Sequence, residues 1–168
     1  MRGYSPRNIR VIEKRNPIHI LVVEGRFYHH ISDQLIVGAE MALREQGASW
    51  ETVMVPGALE IPQVLAAAID AGLFSDKAPQ PFHGFVALGC VIRGETSHYD
   101  IVAGESARAL MDLAIARSVP LGNGILTVET EEQAIARAAV SGKNKGRDAV
   151  EACLEVLRHK RDFAKRAQ

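Results

Sequence analysis

The sequence alternates four times between a short apolar run and a longer stretch whose apolar residues follow helical spacing. The short runs cover residues 18–23, 50–55, 84–90 and 124–128. Short β-branched runs of this kind are typical of buried strands, and the spaced stretches are typical of amphipathic helices. Strands separated by helices pair in parallel, because each helix carries the chain back across the sheet. The pattern therefore predicts one α/β domain, a doubly wound sheet of four parallel strands with helices on both faces.

The predicted helices and strand ends indicate where a ligand site would lie. Helices are predicted at residues 31–47, 61–72 and 98–117, then a short one after residue 130 and a last one from about residue 147. Thr130 and Gln133 have the spacing of a capping box at the start of the short helix. Ligand sites in such sheets lie beyond the carboxyl ends of the strands. Those ends fall at residues 25–30, 56–60, 90–98 and 127–129.

Composition excludes several other classes of protein. The 168 residues include 20 Lys and Arg and 20 Asp and Glu, so the net charge is zero and nothing indicates nucleic-acid binding. No apolar segment has the length of a signal peptide core or a membrane span. The two cysteines, Cys90 and Cys153, provide neither a disulfide framework nor a zinc-binding spacing. We expect a cytoplasmic protein without metal, with an N-terminal arm at residues 1–16 and a single domain at residues 17–168.

The segment between the third strand and its helix has the composition of an anion site. Residues 92–98 read IRGETSH, and free N–H groups and the helix dipole at such a position favour a negative charge. A small phosphate ester would fit there, while Thr96 or Ser97 would equally serve as a plain helix cap. The spacing matches neither a Walker loop nor a dinucleotide fingerprint. His98 follows directly and is the first candidate for a general base, the alternative being an ordinary surface histidine.

Five further side chains suit a ligand site, and each also has a simpler explanation. Glu60 would hydrogen-bond ligand hydroxyls or only complement a helix dipole. Phe27 would stack on a planar ring or cover the core. Arg137 and Lys145 would bind an anion or remain solvated. Cys90, at the end of the third strand, would be a thiol nucleophile activated by the nearby imidazole or, more simply, a small buried apolar residue.

Three longer motifs resemble those of one enzyme family. VPGALEIP (55–62), LGCVIRGETSHYD (88–100) and GKNKG (142–146) have the order, spacing and strand-end positions of lumazine synthases, and the weaker GRFY, GILTVET and EQAIARA segments agree. The resemblance covers about residues 17–157. It implies a flavodoxin-like three-layer sandwich that condenses 5-amino-6-(D-ribitylamino)uracil with 3,4-dihydroxy-2-butanone 4-phosphate. The products would be 6,7-dimethyl-8-ribityllumazine, phosphate and water, in the penultimate step of riboflavin biosynthesis, without a cofactor or metal.

The resemblance also assigns roles to individual residues. His98 would be the catalytic residue and would shuttle protons. Phe27 would stack on the ring of the uracil substrate. Its ribityl chain would be held by Ala58, Leu59 and Glu60, and the polar edge of its ring by the backbone of Val91 and Ile92. Gly94, Glu95 and Thr96 of one subunit would bind the phosphate together with Arg137 of the neighbouring subunit. Lys145 would add a cation near the ring or the phosphate.

The resemblance further implies an active site that two subunits share, with one departure. The family forms rings of five, sometimes assembled into sixty-subunit shells, with the active site between neighbours. We therefore expect at least a homopentamer, in which residues 1–16 would extend the sheet of the next subunit. Many relatives place an aromatic residue of that subunit over the substrate ring where this chain has Asn123. An amide can hydrogen-bond but provides no apolar lid, so the cover of the pocket is expected to differ.

Two other functions stay open on the sequence alone. A paralogue could keep the pocket to bind a flavin or a lumazine for storage, sensing or shell building, but it would not need Arg137, His98 and Lys145 together. A different flavodoxin-like protein would hold flavin mononucleotide for electron transfer. Purified protein that is yellow and redox-active would indicate electron transfer, whereas colourless protein that forms a fluorescent lumazine would indicate the enzyme.

Overall fold

Four parallel strands, hydrogen-bonded in the spatial order second, first, third, fourth, form the centre of the computed structural model, which describes residues 17–167. The strands are β1 (His19–Gly25), β2 (Ser49–Val55), β3 (Gly84–Ile92) and β4 (Leu121–Val128). The helices are α1 (His29–Glu45), α2 (Ile61–Asp70), α3 (His98–Arg117), α4 (Glu131–Ala138) and α5 (Lys145–Arg166), and a 3₁₀ helix, Ala58–Glu60, leads into α2. The predicted α/β fold with a central four-stranded parallel sheet is confirmed.

Each face of the sheet has its own hydrophobic core. Successive strand side chains point to opposite faces, so Ile20 and Val22 pack against α1 and α5, whereas Leu21 and Val23 pack against α2. The first core also takes side chains from α4, and the second takes one from α3. Helices thus cover both faces in three layers, which fixes the carboxyl ends of the strands relative to one another.

Two strands extend beyond their predicted ends. The apolar run of β1 was expected to stop before Glu24, yet the strand continues to Gly25 with the Glu24 side chain buried. The Arg26 guanidinium lies 3.2 Å from that carboxylate and compensates its charge, although burial still raises the pKa of Glu24. β3 continues to Ile92 because β4 pairs with it as far as Val128.

The helix starts follow local capping chemistry. Thr130 Oγ1 accepts a hydrogen bond from the Gln133 N–H at 3.3 Å, as the capping box predicts. Gln133 Oε1 reaches back one residue beyond the N-cap and accepts from the Glu129 N–H at 2.9 Å. α5 begins at residue 145, two residues earlier than predicted. Asn144 caps it from the left-handed region, at φ 47°, with its side chain accepting from the Arg147 N–H at 3.4 Å.

The start of α5 packs against the backbone of its neighbours. A Cβ on Gly146 would lie 2.0 Å from the carbonyl oxygen of Leu35 on α1. A Cβ on Gly122 would lie 1.8 Å from the carbonyl oxygen of Ala149 on α5. Only glycine allows these approaches. The close packing places Lys145 at the outer edge of β4.

Some apolar surface of the described residues is left uncovered. Met54 on β2 is 67% exposed, and Ile101 and Ile115 on α3 are 54% and 73% exposed. Exposed apolar groups that cluster on one element are typical of interaction surfaces. The predicted N-terminal arm, residues 1–16, lies outside the described residues and stays a prediction. Within residues 17–167, none of the helices combines the length and the apolar character needed to span a bilayer.

Candidate active site

A cavity of about 410 Å³ opens at the carboxyl ends of β1, β2 and β3. Its walls come from the loop after β1, the turn and 3₁₀ helix after β2, the end of β3 and the first turns of α3. This is the edge of the sheet at which the sequence predicted a ligand site. The predicted site residues that line it are Phe27, Ala58, Leu59, Glu60, Val91, Ile92, Gly94, Thr96 and His98.

The loop after β1 packs directly on the turn after β2. A Cβ on Gly25 would lie 2.8 Å from the carbonyl carbon of Gly57, so a larger residue would displace one of the two loops. Beyond this contact the Phe27 ring is 70% exposed and meets the Tyr28 ring edge-on, with 5.0 Å between centroids. An exposed aromatic ring held at a cavity wall is suited to stack on a planar ligand.

The cavity contains polar groups that lack protein partners. β1 pairs with β3 only as far as Leu88, whereas β4 pairs with β3 as far as Ile92. One side of β3 therefore has no strand partner where Val91 and Ile92 line the cavity. On the opposite wall, the Glu60 carboxylate makes no hydrogen bond or ion pair within residues 17–167, and it does not cap α2. Both walls are thus free to hydrogen-bond a ligand.

The start of α3 is an open anion site. Ser97 occupies the N-cap position, but its side chain makes no capping bond, and the His98 N–H meets only Thr96 Oγ1 at 3.4 Å. In the part of the chain that the structure describes, the backbone N–H groups of residues 94–97 have no acceptor. Of the two predicted side-chain caps, Ser97 makes none, and Thr96 makes one long contact that leaves the N–H groups of residues 94–97 open. The His98 side chain is exposed beside these groups and lines the cavity.

Cys90 lines the cavity as a neutral thiol. The residue is only 7% exposed, and burial raises the pKa of its thiol to about 12. A cysteine nucleophile acts as the thiolate, which this environment disfavours at neutral pH. The simpler explanation, a small buried apolar residue at the end of β3, agrees with the geometry.

Arg93, within the predicted anion segment, is bound by carboxylates. Its Nε lies 3.0 Å from Glu129 Oε2, and its Nη2 lies 3.2 Å from Asp100 Oδ1. Its Cζ lies 4.1 Å from the centroid of the Tyr99 ring. Two of the three guanidinium nitrogens are thus engaged by carboxylates, whereas the N–H groups of the following loop are open to an anion.

The two other predicted cationic residues, Arg137 and Lys145, line a second cavity of about 400 Å³ at the outer edge of β4, between α4 and α5. Arg137 donates to a carbonyl of its own helix at 3.0 Å and has no carboxylate partner within residues 17–167. Lys145 Nζ lies 2.6 Å from Asp148 Oδ2. Asn123 Oδ1 accepts the Ile125 N–H at 3.0 Å, which leaves its amino group as a donor. Within one chain, therefore, the structure does not bring these three residues together with His98.

Comparison with known proteins identifies the family. A family model described as 6,7-dimethyl-8-ribityllumazine synthase matches residues 17–161. The chain belongs to this family. A 6,7-dimethyl-8-ribityllumazine synthase of Methylorubrum extorquens (strain PA1) is 57% identical over 94% of this chain and 88% of its own length. One from Agrobacterium fabrum (strain C58) is 53% identical over 85% and 95%, and synthase 1 of Rhodopseudomonas palustris is 54% identical over 87% and 88%.

Membership of the lumazine synthase family confirms the enzyme class and the reaction that the motifs predicted. The family catalyses the penultimate step of riboflavin biosynthesis, and this chain is a transferase of that kind. Among the described residues, no group of three or more His, Cys, Asp and Glu side chains could hold a metal ion.

Some residues that line the two cavities were not predicted from the sequence. Tyr28, Tyr99 and Val102 line the first cavity, and Asp148 lines the second. Helical spacing could have indicated two of them, because Val102 lies four residues after His98 and Asp148 lies three residues after Lys145. Glu95, predicted to contact phosphate, lies in the loop beside the first cavity and does not line it.

Proposed function

We propose that two adjoining copies of this chain combine their cavities into one active site for lumazine formation. The observation that carries the proposal is the division of the predicted site between the two cavities. His98 and the open N–H groups of residues 94–97 lie at one cavity, whereas Arg137 and Lys145 lie at the other. A reaction that expels phosphate needs a proton shuttle and a cationic anion site together. A second copy supplies the missing half.

The uracil substrate binds in the first cavity. Phe27 stacks on the ring, because it offers an exposed aromatic face at the cavity wall. The open side of β3 at Val91 and Ile92 hydrogen-bonds the polar edge of the ring. The ribityl chain runs along the 3₁₀ helix, where Glu60 accepts from its hydroxyls. Ala58 and Leu59 form the rest of that wall.

The phosphate of the second substrate binds at the start of α3. The N–H groups of Gly94, Glu95 and Thr96 donate to its oxygens, assisted by the positive end of the helix dipole. Arg137 of the adjoining copy adds a guanidinium that has no carboxylate partner of its own among the described residues. Lys145, whose ammonium pairs with a carboxylate in the isolated chain, adds a second cation. The charges of ligand and site thereby match.

Asn123 of the adjoining copy covers the substrate ring with a polar group. Its oxygen is already bound by the Ile125 N–H, so it presents its amino group to the ligand. A hydrogen-bond donor in this position recognises an acceptor on the ring, instead of covering the ring with an apolar face as an aromatic residue would.

The reaction requires positioning and proton transfer more than strong electrophilic activation. The primary amine adds to the ketone and water leaves to give the imine, phosphate is then eliminated, and the ring closes with loss of water. His98 carries the protons that these steps release and consume. Holding two reactants together supplies about 7 to 11 kcal/mol of the barrier. One general base supplies only about 10² to 10⁴ in rate, so positioning is the larger contribution.

Activity with both substrates tests the proposal directly. Purified protein is mixed with the ribitylaminouracil and the butanone phosphate, and phosphate release is followed together with lumazine absorbance. We expect equal amounts of the two products and no reaction when either substrate is omitted. Protein that binds a flavin or lumazine without releasing phosphate would indicate the binding paralogue instead. Yellow protein with a reversible redox reaction would indicate electron transfer.

The same division of the site sets the assembly that we propose. A ring of at least five copies lets every copy give one cavity to each of its two neighbours. We place this enzyme in the cytoplasm, because its two cysteines, Cys90 and Cys153, are both free and buried. Its partners are then the two small-molecule substrates and further copies of the chain.

A further inference from the structure

Arg93 connects three elements at the mouth of the first cavity. It follows the last residue of β3 and contacts Glu129, just after β4, and Asp100, in the first turn of α3. Its guanidinium also lies over the ring of Tyr99, which lines the cavity. The contact with Asp100 joins the two ends of the loop that carries the open N–H groups of residues 94–97.

That loop has little else to hold it. A Cβ on Gly94 would meet nothing within 4 Å, and the side chains of residues 93–98 are all exposed. The one hydrogen bond within the loop is the 3.4 Å contact to Thr96 Oγ1. A short exposed loop with a glycine samples many conformations unless its ends are fixed. The backbone holds one end of the loop at β4, where the Arg93 N–H donates to the Val128 carbonyl at 2.9 Å, and α3 holds the other end. The Arg93 side chain is the contact that joins these two ends across the anion site.

The charges around Arg93 also favour a structural role over phosphate binding. Two carboxylates lie within 3.2 Å of its guanidinium, and their negative charges offset its attraction for a phosphate. Arg137, which we assign to the phosphate, has no carboxylate partner within residues 17–167. The two arginines thus differ in the way expected of a structural contact and a ligand contact.

We propose that Arg93 is a positioning residue, which fixes the 94–97 loop and the His98 ring for catalysis by holding Asp100 and Glu129, and that it does not itself bind the phosphate. The inference rests on the proposed function, because it assigns the purpose of the loop. A positioning role has a definite energetic meaning, since a displacement of about 1 Å in a reacting group costs roughly 100-fold in rate.

Two variants separate positioning from direct phosphate binding. Arg93→Gln removes the guanidinium, whereas the double variant Asp100→Asn, Glu129→Gln keeps the guanidinium and removes its partners. Positioning predicts that both variants lower kcat by about 10- to 100-fold, and that combining them costs little more than either alone, because all three groups act as one unit. Direct phosphate binding predicts that the two variants have opposite effects. Arg93→Gln would raise the KM for the butanone phosphate, whereas the double variant would free the guanidinium and lower that KM.

Arg108 on α3 provides the matched control. It is also held by two carboxylates, 2.7 Å from Glu105 and 2.7 Å from Asp112, but it does not line either cavity. Arg108→Gln and the double variant Glu105→Gln, Asp112→Asn should keep kcat and both KM values within about twofold, since exposed ion pairs contribute little. Circular dichroism and light scattering establish that every variant folds and assembles like the wild type.

The pH profile of kcat is the readout that a purely structural role would not move. If Arg93 positions His98, the profile of Arg93→Gln shifts or flattens on the limb that His98→Ala removes. Unchanged kcat in both Arg93→Gln and the carboxylate double variant, or a lower KM for the phosphate substrate in the latter, would overturn the inference. Wild-type protein that makes no lumazine would instead overturn the proposed function, so the two failures are distinguishable.

Discussion

His98 and Cys90 line the same cavity, but burial gives them different chemistry. The imidazole is exposed beside open N–H groups, whereas the thiol is buried and its pKa is raised to about 12. The two arginines near the phosphate site differ in a similar way, because Arg93 is held by carboxylates and Arg137 is not. We therefore propose that His98 transfers protons and that Arg137, together with the loop amides, binds the leaving phosphate.

Replacing His98 with alanine tests its role as the proton shuttle. We expect kcat to fall by about 10² to 10⁴ and activity to remain measurable, because positioning of the two substrates survives the loss of one general base. Steady-state assays at saturating substrate concentrations measure the change. His159→Ala, on the distant α5, is the control and should leave kcat unchanged. A His98→Ala enzyme with wild-type kcat would remove the imidazole from the mechanism.

His83 predicts a pH dependence of stability. Its Nδ1 accepts the His19 N–H at 3.0 Å, and burial, with the positive charge of Arg161, lowers its pKa from the usual 6.5. A lowered histidine pKa means that the stabilising contact is fully present above about pH 6.5 and is lost as the pH falls toward the folded-state pKa. We expect the denaturation midpoint of His83→Asn to vary less between about pH 7 and pH 5 than that of the wild type. If the denaturation midpoint changed equally with pH in both proteins, His83 would not be the group responsible. A variant of an exposed histidine, His29→Asn, serves as the control.

At the scale of helices and strands, the sequence predicted what depends on local pattern. The four strands, the capping box at Thr130 and the start of α3 at His98 follow from residues close in sequence. The ends that depend on distant contacts were missed. β3 continues to Ile92 because it pairs with β4, and the residue that caps α5, Asn144, lies in a loop that packs against α1.

Gly146 connects one such distant contact to stability. Gly146→Ala would bring a Cβ to within 2.0 Å of a carbonyl oxygen of α1, so α5 must shift away from α1. We expect a loss of about 1 to 3 kcal/mol in the free energy of unfolding, as for other overpacked sites. Gly89→Ala, whose Cβ would meet Ile61 at an ordinary 3.5 Å, should change stability much less. Urea denaturation compares the two, and equal effects would mean that the close approach at residue 146 relaxes without cost.

At the scale of the whole molecule, the predicted site residues are divided between two cavities of a single chain. Motif resemblance assigned the predicted site residues, but it could not show that three of them line a cavity of their own, because that depends on the relative placement of β3 and β4. The uncovered apolar side chains on β2 and α3 are typical of interaction surfaces, and we propose that other copies of the chain contact them.

Particle mass is the simplest consequence at this scale. A chain of 18.3 kDa in a ring of five would give a particle about five times that mass, and a shell would give a larger multiple. Light scattering at the protein concentration of the activity assay measures it. A fully active monomer would be incompatible with a site shared between copies.

Complementation between two strongly impaired variants tests the shared site most directly. In His98→Ala chains the first cavity is defective, and in Arg137→Ala chains the second is. When the two are co-expressed and assemble at random, about a quarter of the sites should combine an intact first cavity with an intact second cavity.

The account predicts that the mixed assemblies recover up to about a quarter of wild-type kcat, far above either variant assembled alone. Activity of the mixture equal to the average of the two separate variants, in particles of wild-type size, would show that His98 and Arg137 of one chain act at the same site and would contradict the account.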